Sequence, residues 1–184
     1  MLFRLLAFVC LVSVAQAATP RPLADVPIQT PDFKRISIKQ YRGKVVLLVL
    51  ISTTCGDCAA SVPIFNKLQT DFGPRGFQVV GAAFDDNAAN QVLAFAARYR
   101  PNFPLGFLDQ QAAIKIADIP PGMRPFVPIA MFIDRTGVVQ QQFYGDNPIF
   151  KQEEKAFRAM VDSLLKFQAG AKAAPKAPPA EPRP

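Results

Sequence analysis

The sequence predicts an α/β fold in which helices cover one mixed β-sheet in a three-layer sandwich. Three runs of mostly apolar residues predict buried strands at 45–51, 77–84 and 129–133. Segments with apolar residues at helical spacing follow the first two runs, and this alternation of strands and helices is typical of such a sandwich. Half of the 184 residues are hydrophobic and only 19% are charged, so the chain can form a sizeable core.

The first elements of the predicted sandwich are extended. Residues 18–31 form a proline-rich lead-in, after which Phe33, Ile36 and Ile38 are interleaved with polar residues and predict a short edge strand. Seven consecutive apolar residues at 45–51 then predict a central strand that is buried on both faces. This strand ends just before the closely spaced cysteines of the chain.

Strands and helices alternate through the middle of the chain. A helix is predicted from the cysteines to Gly73, with Pro63 interrupting or kinking it one turn after its start. The apolar spacing predicts a second helix at about 88–101 and a short helix at 110–117. A short strand at 103–107 separates these two helices.

The C-terminal elements close the predicted sheet. A proline-rich loop at 119–128 leads into the third apolar strand at 129–133. The turn at 134–137 opens a hairpin with a strand at 138–143. A last amphipathic helix is predicted at about 148–167.

Both ends of the chain differ from this domain, which we assign to residues 18–168. Residues 1–17 have a positive start, an apolar run at 5–12 and small residues at 15–17, as in a secretory signal peptide. The apolar run is shorter than the about 20 residues of a membrane span, so we expect cleavage rather than an uncleaved anchor. The mature protein would then act outside the cytoplasm, in a bacterial periplasm. Residues 169–184, rich in alanine and proline, predict a disordered tail.

Composition excludes several classes of function. The chain has no histidine, which removes Ser-His-Asp triads, Cys-His hydrolases and metal sites that need histidine ligands. The net charge is +7, but no basic helix face is present, so we expect no nucleic-acid partner. There is no glycine-rich loop of the kind that holds phosphates, so we expect no organic cofactor. We also expect no bound metal, and a monomer.

The cysteine pair carries the chemistry. Cys55 and Cys58 are the cysteines left once Cys10 is removed with the signal peptide. A disulfide across so short a loop adds little stability, and a Cys-x-x-Cys pair between a strand and a helix predicts a redox-active dithiol. Because a helix N-terminus stabilises a thiolate, Cys55 would attack a substrate disulfide and Cys58 would resolve the intermediate. A zinc site with carboxylate ligands and an inert disulfide are the alternatives.

Two segments around this pair resemble the thioredoxin fold. Residues 44–65 are similar to its strand, Cys-x-x-Cys and first helix, including Pro63 five residues after the second cysteine. Val127 and Pro128, before the third apolar strand, resemble the cis-proline loop that faces the dithiol in that fold. The resemblance implies that Val127 offers backbone hydrogen bonds to a substrate and that Pro128 shields the sulfurs.

Other features resemble the exported TlpA/ResA-type thiol:disulfide oxidoreductases, within the broader redoxin and peroxiredoxin-like superfamily. They are a strand and helix inserted at 79–99 and the lead-in motifs at 31–33 and 41–44. The resemblance covers residues 24–167. It implies a reductase of disulfides in extracytoplasmic proteins, such as apocytochrome c or a terminal oxidase, supplied by an upstream thiol–disulfide electron donor.

The same resemblance suggests further site residues. Thr54, Gly56 and Asp57 surround the cysteines and would contact the substrate. A ResA-like acid after the second main strand would be Asp86, or its neighbour Asp85, which would shuttle protons to the second cysteine. The alternative for both aspartates is an ordinary helix-capping role.

Three departures from the family pattern concern the site. Thr54 stands where the family has tryptophan, and Val49 stands where plain thioredoxin has a buried carboxylate. Asp57 precedes the second cysteine in place of proline, and its charge would repel a thiolate and oppose the helix dipole. A less stable dithiol is a better reductant, so we predict a potential nearer thioredoxin than a strong oxidant. A value above about −150 mV would contradict this prediction.

Two other functions remain open from the sequence. A peroxiredoxin-like thiol peroxidase, an antioxidant enzyme, shares the fold, but its Pro-x-x-x-Thr-x-x-Cys motif reads Leu48, Ser52 and Cys55 here. A copper chaperone of this fold keeps a Cys-x-x-x-Cys pair and a histidine, and this chain has neither. The thiol:disulfide oxidoreductase therefore remains the leading prediction.

Overall fold

One mixed sheet of eight strands organises residues 19–171, the part of the chain that the computed structural model describes. Its strands are β1 (Arg21–Pro22), β2 (Ile28–Gln29), β3 (Arg35–Ile36), β4 (Val45–Ile51), β5 (Phe77–Ala83), β6 (Leu105–Phe107), β7 (Ile129–Ile133) and β8 (Val138–Phe143). The helices are α1 (Gly56–Phe72), α2 (Ala88–Tyr99), α3 (Gln110–Ala117) and α4 (Glu153–Ala171). Short 3₁₀ turns cover Ile38–Tyr41, Gly73–Arg75 and Pro148–Gln152.

The sheet has the order β1-β8-β7-β4-β5-β6-β2-β3, with β4 at its centre. Strand β4 pairs parallel with β5, where Leu48 lies opposite Val80, and antiparallel with β7, where Leu48 lies opposite Met131. All seven residues of β4 are buried, which confirms the prediction of a central strand covered on both faces. The predicted insertion at 79–99 thus supplies β5, a central strand of the sheet, together with α2.

Side chains that alternate along β4 divide the core between the two faces of the sheet. Leu48 and Leu50 pack on one face with Ile116 of α3 and with the lead-in strands. The neighbouring residues Val45, Leu47 and Val49 pack on the other face with α1 and α4, mainly through phenylalanine rings. The rings of Phe132 and Phe157 lie 5.0 Å apart in an edge-to-face arrangement. Helices on both faces confirm the predicted three-layer sandwich.

The predicted edge strand at 33–38 is wrong in its extent. Strand β3 contains only Arg35 and Ile36, and Ile38 begins a 3₁₀ turn. Phe33 has a φ of 61° and is 97% exposed, because it lies in a tight turn closed by backbone hydrogen bonds between Thr30 and Lys34 and between Phe33 and Thr30. The local turn therefore interrupts the alternation on which the prediction depended.

The C-terminal helix begins later and ends later than predicted. A 3₁₀ turn over Pro148–Gln152, capped by Asn147, precedes α4, and the helix continues to Ala171. The predicted signal peptide with Cys10, and the part of the predicted tail beyond Ala171, lie outside the described residues. Within the described part of the chain, no helix combines the length and hydropathy that a membrane span requires.

Candidate active site

The two cysteines lie where the central strand β4 passes into α1. The strand ends at Ile51, and Cys55 is the N-cap of α1, with an extended backbone at φ −83° and ψ 120°. Cys58 follows in the first turn of the helix, which continues through Pro63 to Phe72. The predicted junction of a buried strand with a helix is confirmed, and both sulfurs lie at a helix N-terminus.

Cys55 is the accessible member of the pair. Its side chain is half-buried, and its Sγ accepts a hydrogen bond from the backbone N–H of Cys58 at 3.1 Å. The Sγ also lies 3.8 Å from the carbonyl oxygen of Val127, to which the thiol can donate. A backbone N–H and the helix dipole both favour negative charge on this sulfur, as nucleophilic attack requires.

Cys58 is enclosed by the protein. It is 0% exposed and packs with Ile51, Val62 and Val92. This burial raises the pKa of its thiol far above the ordinary value, and the hydrogen bond and charge of Cys55 and the charge of Asp57 raise it further. The reduced form therefore gains no stabilisation from a thiolate at Cys58, and a dithiol without such stabilisation is oxidised to the disulfide more readily than one that has it.

A cis peptide bond between Val127 and Pro128 faces the dithiol, as the resemblance implies. Pro128 is buried, and Val127 is half-buried with its carbonyl oxygen near Cys55. Gly145 packs closely against this loop. Its N–H donates to the carbonyl oxygen of Phe126 at 2.9 Å, and a Cβ at this position would lie only 2.4 Å from the carbonyl oxygen of Val127. A residue with a side chain at 145 would push the loop away.

The other predicted substrate contacts form the rim of the site. Thr54, Gly56 and Asp57 are all exposed next to the cysteines. The hydroxyl of Thr54 lies 3.0 Å from that of Ser52. Phe126 was not predicted, although it precedes the cis peptide bond and is 63% exposed. Phe126 is thus an exposed aromatic residue directly before Val127, whose carbonyl oxygen lies 3.8 Å from the Sγ of Cys55.

The two acids that were predicted to assist Cys58, Asp85 and Asp86, differ in exposure and in hydrogen-bond partners. Asp85 accepts hydrogen bonds from the backbone N–H and the hydroxyl of Thr53, at 2.6 and 2.8 Å, and so fixes the loop before Cys55. Asp86 is exposed and accepts a hydrogen bond from the side chain of Gln110 at 2.9 Å. Within the described residues, neither carboxylate forms a hydrogen bond with Cys58, and the role of Asp86 as proton shuttle stays a prediction.

A buried acid is hydrogen-bonded to the helix that carries the dithiol. Glu153, the first residue of α4, is 7% exposed, and one of its carboxylate oxygens accepts a hydrogen bond from Ser61 of α1 at 2.9 Å. Burial raises its pKa to about 7. Glu153 is a site residue that was not predicted, although its sequence position carries a signal. It lies four residues before Phe157, on the stripe that continues at Val161 and Leu165, where an apolar residue is expected.

Glu153 lines a groove beside the cysteines, which we call the Glu153 groove. Its volume is about 390 Å³, and its main walls are Asp57, Ser61, Pro128, Gly145, Asp146 and Glu153. Three of the elements that form the site therefore meet here: the start of α1, the cis-proline loop and the start of α4. Among the described residues, no cluster of three or more histidine, cysteine or acidic side chains could hold a metal ion.

The fold and this site define a thioredoxin-like protein with a Cys-x-x-Cys dithiol opposite a cis-proline. The chain belongs to the Redoxin family, whose model matches residues 16–160. It is similar to the thiol-disulfide oxidoreductase ResA of Bacillus thuringiensis subsp. konkukian, with 26% identity over 121 residues. That match covers 66% of this chain and 66% of ResA, just under two thirds of the relative's length.

Two further comparisons agree with this one. The thiol:disulfide interchange protein DsbE of Pseudomonas fluorescens biotype C is 28% identical over 150 residues, which cover 78% of this chain and 76% of DsbE. A crystal structure of a thioredoxin-family thiol:disulfide interchange protein from Chlorobium tepidum superimposes with a TM-score of 0.66 at 22% identity, over 80% of this chain and 98% of that one. The comparisons confirm the predicted fold and the resemblance to ResA-type proteins.

Proposed function

We propose that this protein is a thiol:disulfide oxidoreductase that reduces disulfides in proteins outside the cytoplasm. The observation that carries the proposal is the unequal pair of sulfurs. Cys55 is accessible at the helix N-terminus beside the Val127 carbonyl, and Cys58 is buried one turn behind it. The similarity to the thiol-disulfide oxidoreductase ResA and to the thiol:disulfide interchange protein DsbE supports the same activity.

The reaction is a pair of thiol–disulfide exchanges. The thiolate of Cys55 attacks one sulfur of a substrate disulfide, and the other substrate sulfur leaves as a thiolate and takes a proton. Cys58 then loses its proton and attacks the Cys55 sulfur of the mixed disulfide, which releases the second substrate thiolate. Two electrons pass to the substrate, and the Cys55–Cys58 disulfide is left. A dithiol protein must reduce that disulfide before the next cycle.

The environment of Cys58 supports the reducing direction. Burial and the neighbouring sulfur and carboxylate raise the pKa of its thiol, so a thiolate at this position is unfavourable. A dithiol whose thiolate form is poorly stabilised is oxidised more readily than one whose thiolate is stabilised. The protein should therefore donate electrons to substrates rather than withdraw them.

The proposed place of action is supported by a sequence pattern, and the proposed substrates are supported by the family resemblance. The signal-peptide pattern of residues 1–17 supports export to an extracytoplasmic compartment such as a bacterial periplasm. The ResA-type resemblance favours apocytochrome c or terminal-oxidase cysteines as substrates. The thiol peroxidase is less well supported, because fully buried Leu48, within β4, occupies the place of the proline of the peroxidase motif.

The equilibrium redox potential tests the proposal. The purified protein is equilibrated in glutathione and dithiothreitol buffers, and the fraction of reduced Cys55 and Cys58 is measured by thiol trapping. A two-electron transition near or below about −220 mV supports a reductase. A transition near about −120 mV would make the protein an oxidant. The absence of a reversible transition would exclude thiol–disulfide exchange and favour a peroxidase or a binding role.

A further inference from the structure

The Glu153 groove contains a buried acceptor without a partner. One carboxylate oxygen of Glu153 accepts the hydrogen bond from Ser61, but its Oε1 has no hydrogen-bond partner among the described residues. Glu153 is only 7% exposed, so water satisfies this oxygen poorly. An unpaired buried polar atom is unfavourable unless a ligand supplies a donor, and such atoms are uncommon away from functional sites.

The charges around the groove favour a cation. Asp57, Asp146 and Glu153 line it together with one basic residue, Lys151. The three carboxylates come from α1, from the loop after β8 and from the start of α4, so acidic groups face the groove from several sides. A positively charged group in the groove would compensate the excess of negative charge. The unpaired Oε1 of Glu153 is shielded from solvent in this structure, so it would accept a hydrogen bond from that group after a small displacement of the Glu153 side chain.

The groove also has an apolar part, formed by Ile64 and Phe150, which are both half-buried. Lysine and arginine have an aliphatic stem that packs on such surface while the charged end reaches a polar group. Asp57, which lies between the two cysteines in the sequence, and Pro128 both line the groove. The carbonyl oxygen of Val127, next to Pro128, lies 3.8 Å from the Sγ of Cys55, so the groove adjoins the residues around the dithiol. A substrate chain bound at Cys55 would therefore place a neighbouring side chain into the groove.

We propose that the Glu153 groove binds the side chain of a lysine or arginine close to the reacting cysteine of the substrate, with Glu153 as its hydrogen-bond acceptor. This inference rests on the proposed function, because it names a feature of the proteins that the dithiol would reduce. In this proposal Glu153 determines which substrates bind, whereas the two cysteines alone carry out the electron transfer. The groove thus selects among disulfides that Cys55 can reach.

The test compares three peptides that share one disulfide and differ at a residue next to the cysteine: lysine, glutamine or glutamate. The rate constant for their reduction by the full reduced protein is measured at pH 8, where a carboxyl with the pKa of Glu153, about 7, is mostly ionised. We expect the lysine peptide to react about tenfold faster than the glutamate peptide. The net charge of +7 would favour the acidic peptide at long range, so a lysine preference must arise locally.

Matched variants locate the preference. Glu153→Gln should reduce the lysine preference to about twofold or less, while Glu154→Gln, which removes the same charge one residue further on, should retain it. Glu154 instead pairs with Lys67 and Arg158. Asp146→Asn changes an exposed residue at the groove and should reduce the preference in part, so it serves as a second variant if Glu153→Gln does not fold.

Each remaining outcome overturns a specific statement. If the wild-type protein reduces the three peptides at equal rates, or if both groove variants retain the lysine preference, the groove is not a substrate subsite and the proposed function stands. If Glu153→Gln slows all three peptides by the same factor, Glu153 acts on the dithiol and not on the substrate side chain. If the wild-type protein reduces none of them, the proposed function fails, and this inference fails with it.

Discussion

Cys55 and Cys58 are separated by one helical turn, but their surroundings are opposite. Cys55 is half-buried, accepts a backbone N–H and lies near the Val127 carbonyl, whereas Cys58 is 0% exposed in an apolar part of the core. The first sulfur can meet a substrate, and the second can meet only the first. Two identical side chains in one Cys-x-x-Cys motif thus take separate roles because they differ in burial and in hydrogen bonding.

Replacing each cysteine in turn gives the largest expected effect. In Cys55→Ser, reduction of a disulfide substrate should fall by about 10³-fold or more, because the nucleophile is lost. In Cys58→Ser, the first exchange should proceed and the mixed disulfide should accumulate, because the resolving thiol is lost. Mass spectrometry of the protein after reaction with a disulfide peptide measures the adduct. An adduct that forms equally in both variants would contradict the division of roles.

The two glutamates at the start of α4 repeat this contrast. Glu153 is buried, and burial raises its pKa to about 7. Glu154, the next residue, is outside the core, and hydrogen bonds from Lys67 and Arg158 lower its pKa. A change of one position on the helix thus reverses the direction of the shift, because it exchanges a desolvated site for one next to cations.

The pH dependence of stability tests this second contrast. Since the folded-state pKa of Glu153 is raised from 4.5 to about 7, the folded state binds a proton that the unfolded state releases between these values. The stability that this carboxyl contributes, about 3 kcal/mol, is fully present below about pH 4.5 and is lost as the pH rises through about 7. In Glu153→Gln this loss should disappear. Urea unfolding at pH 5 and pH 8 measures the difference.

Glu154→Gln is the matched control for that measurement. Its lowered pKa gives the opposite sign, since the stability that it contributes is present above its unfolded pKa and is lost as the pH falls. Exposed ion pairs contribute little, so this variant should keep the wild-type difference between pH 5 and pH 8. A Glu153→Gln protein with the wild-type pH dependence would show that the buried carboxyl does not titrate in this range.

Most of the strands and helices could be predicted from the sequence, because a local pattern of apolar residues defines them. The bounds of β4, α3, β7 and β8 agree with the predicted ones, because an apolar run or a helical period defines each of them locally. The strand-to-helix position of the cysteines was predictable for the same reason. A local turn at Phe33, in contrast, ended the edge strand against its pattern.

The acids of the site show where such prediction stops. Asp85 and Asp86 were predicted as site residues because they follow a buried strand. Their hydrogen-bond partners, Thr53 and Gln110, lie elsewhere in the chain, so the sequence did not indicate these contacts. The bond between Ser61 and Glu153 joins residues 92 positions apart. No local pattern reports that the start of α4 meets α1 beside the dithiol. The position of Glu153 on an apolar stripe indicates only that its carboxylate is buried and needs a hydrogen-bond partner or a counter-charge.

The smallest expected effect concerns Asp57, the exposed carboxylate between the two cysteines. Its negative charge, one of the causes of the raised pKa of Cys58, opposes a thiolate anywhere in the dithiol, so Asp57→Asn should stabilise the thiolate form of the reduced protein and make the potential less negative. Because Asp57 is exposed, we expect a rise of only about 10–20 mV. Asp86→Asn makes the same change of charge away from the sulfurs and should leave the potential within about 5 mV of the wild-type value.

The pair of variants separates a local effect from a general one. If both substitutions raise the potential equally, the effect comes from net charge, and Asp57 has no particular influence on the buried sulfur. If Asp86→Asn alone changes the potential, the carboxylate of Asp86 interacts with the dithiol, and the hydrogen bond to Gln110 does not describe its working position. A rise in Asp57→Asn alone would show that even an exposed carboxylate adds to the difference between Cys55 and Cys58.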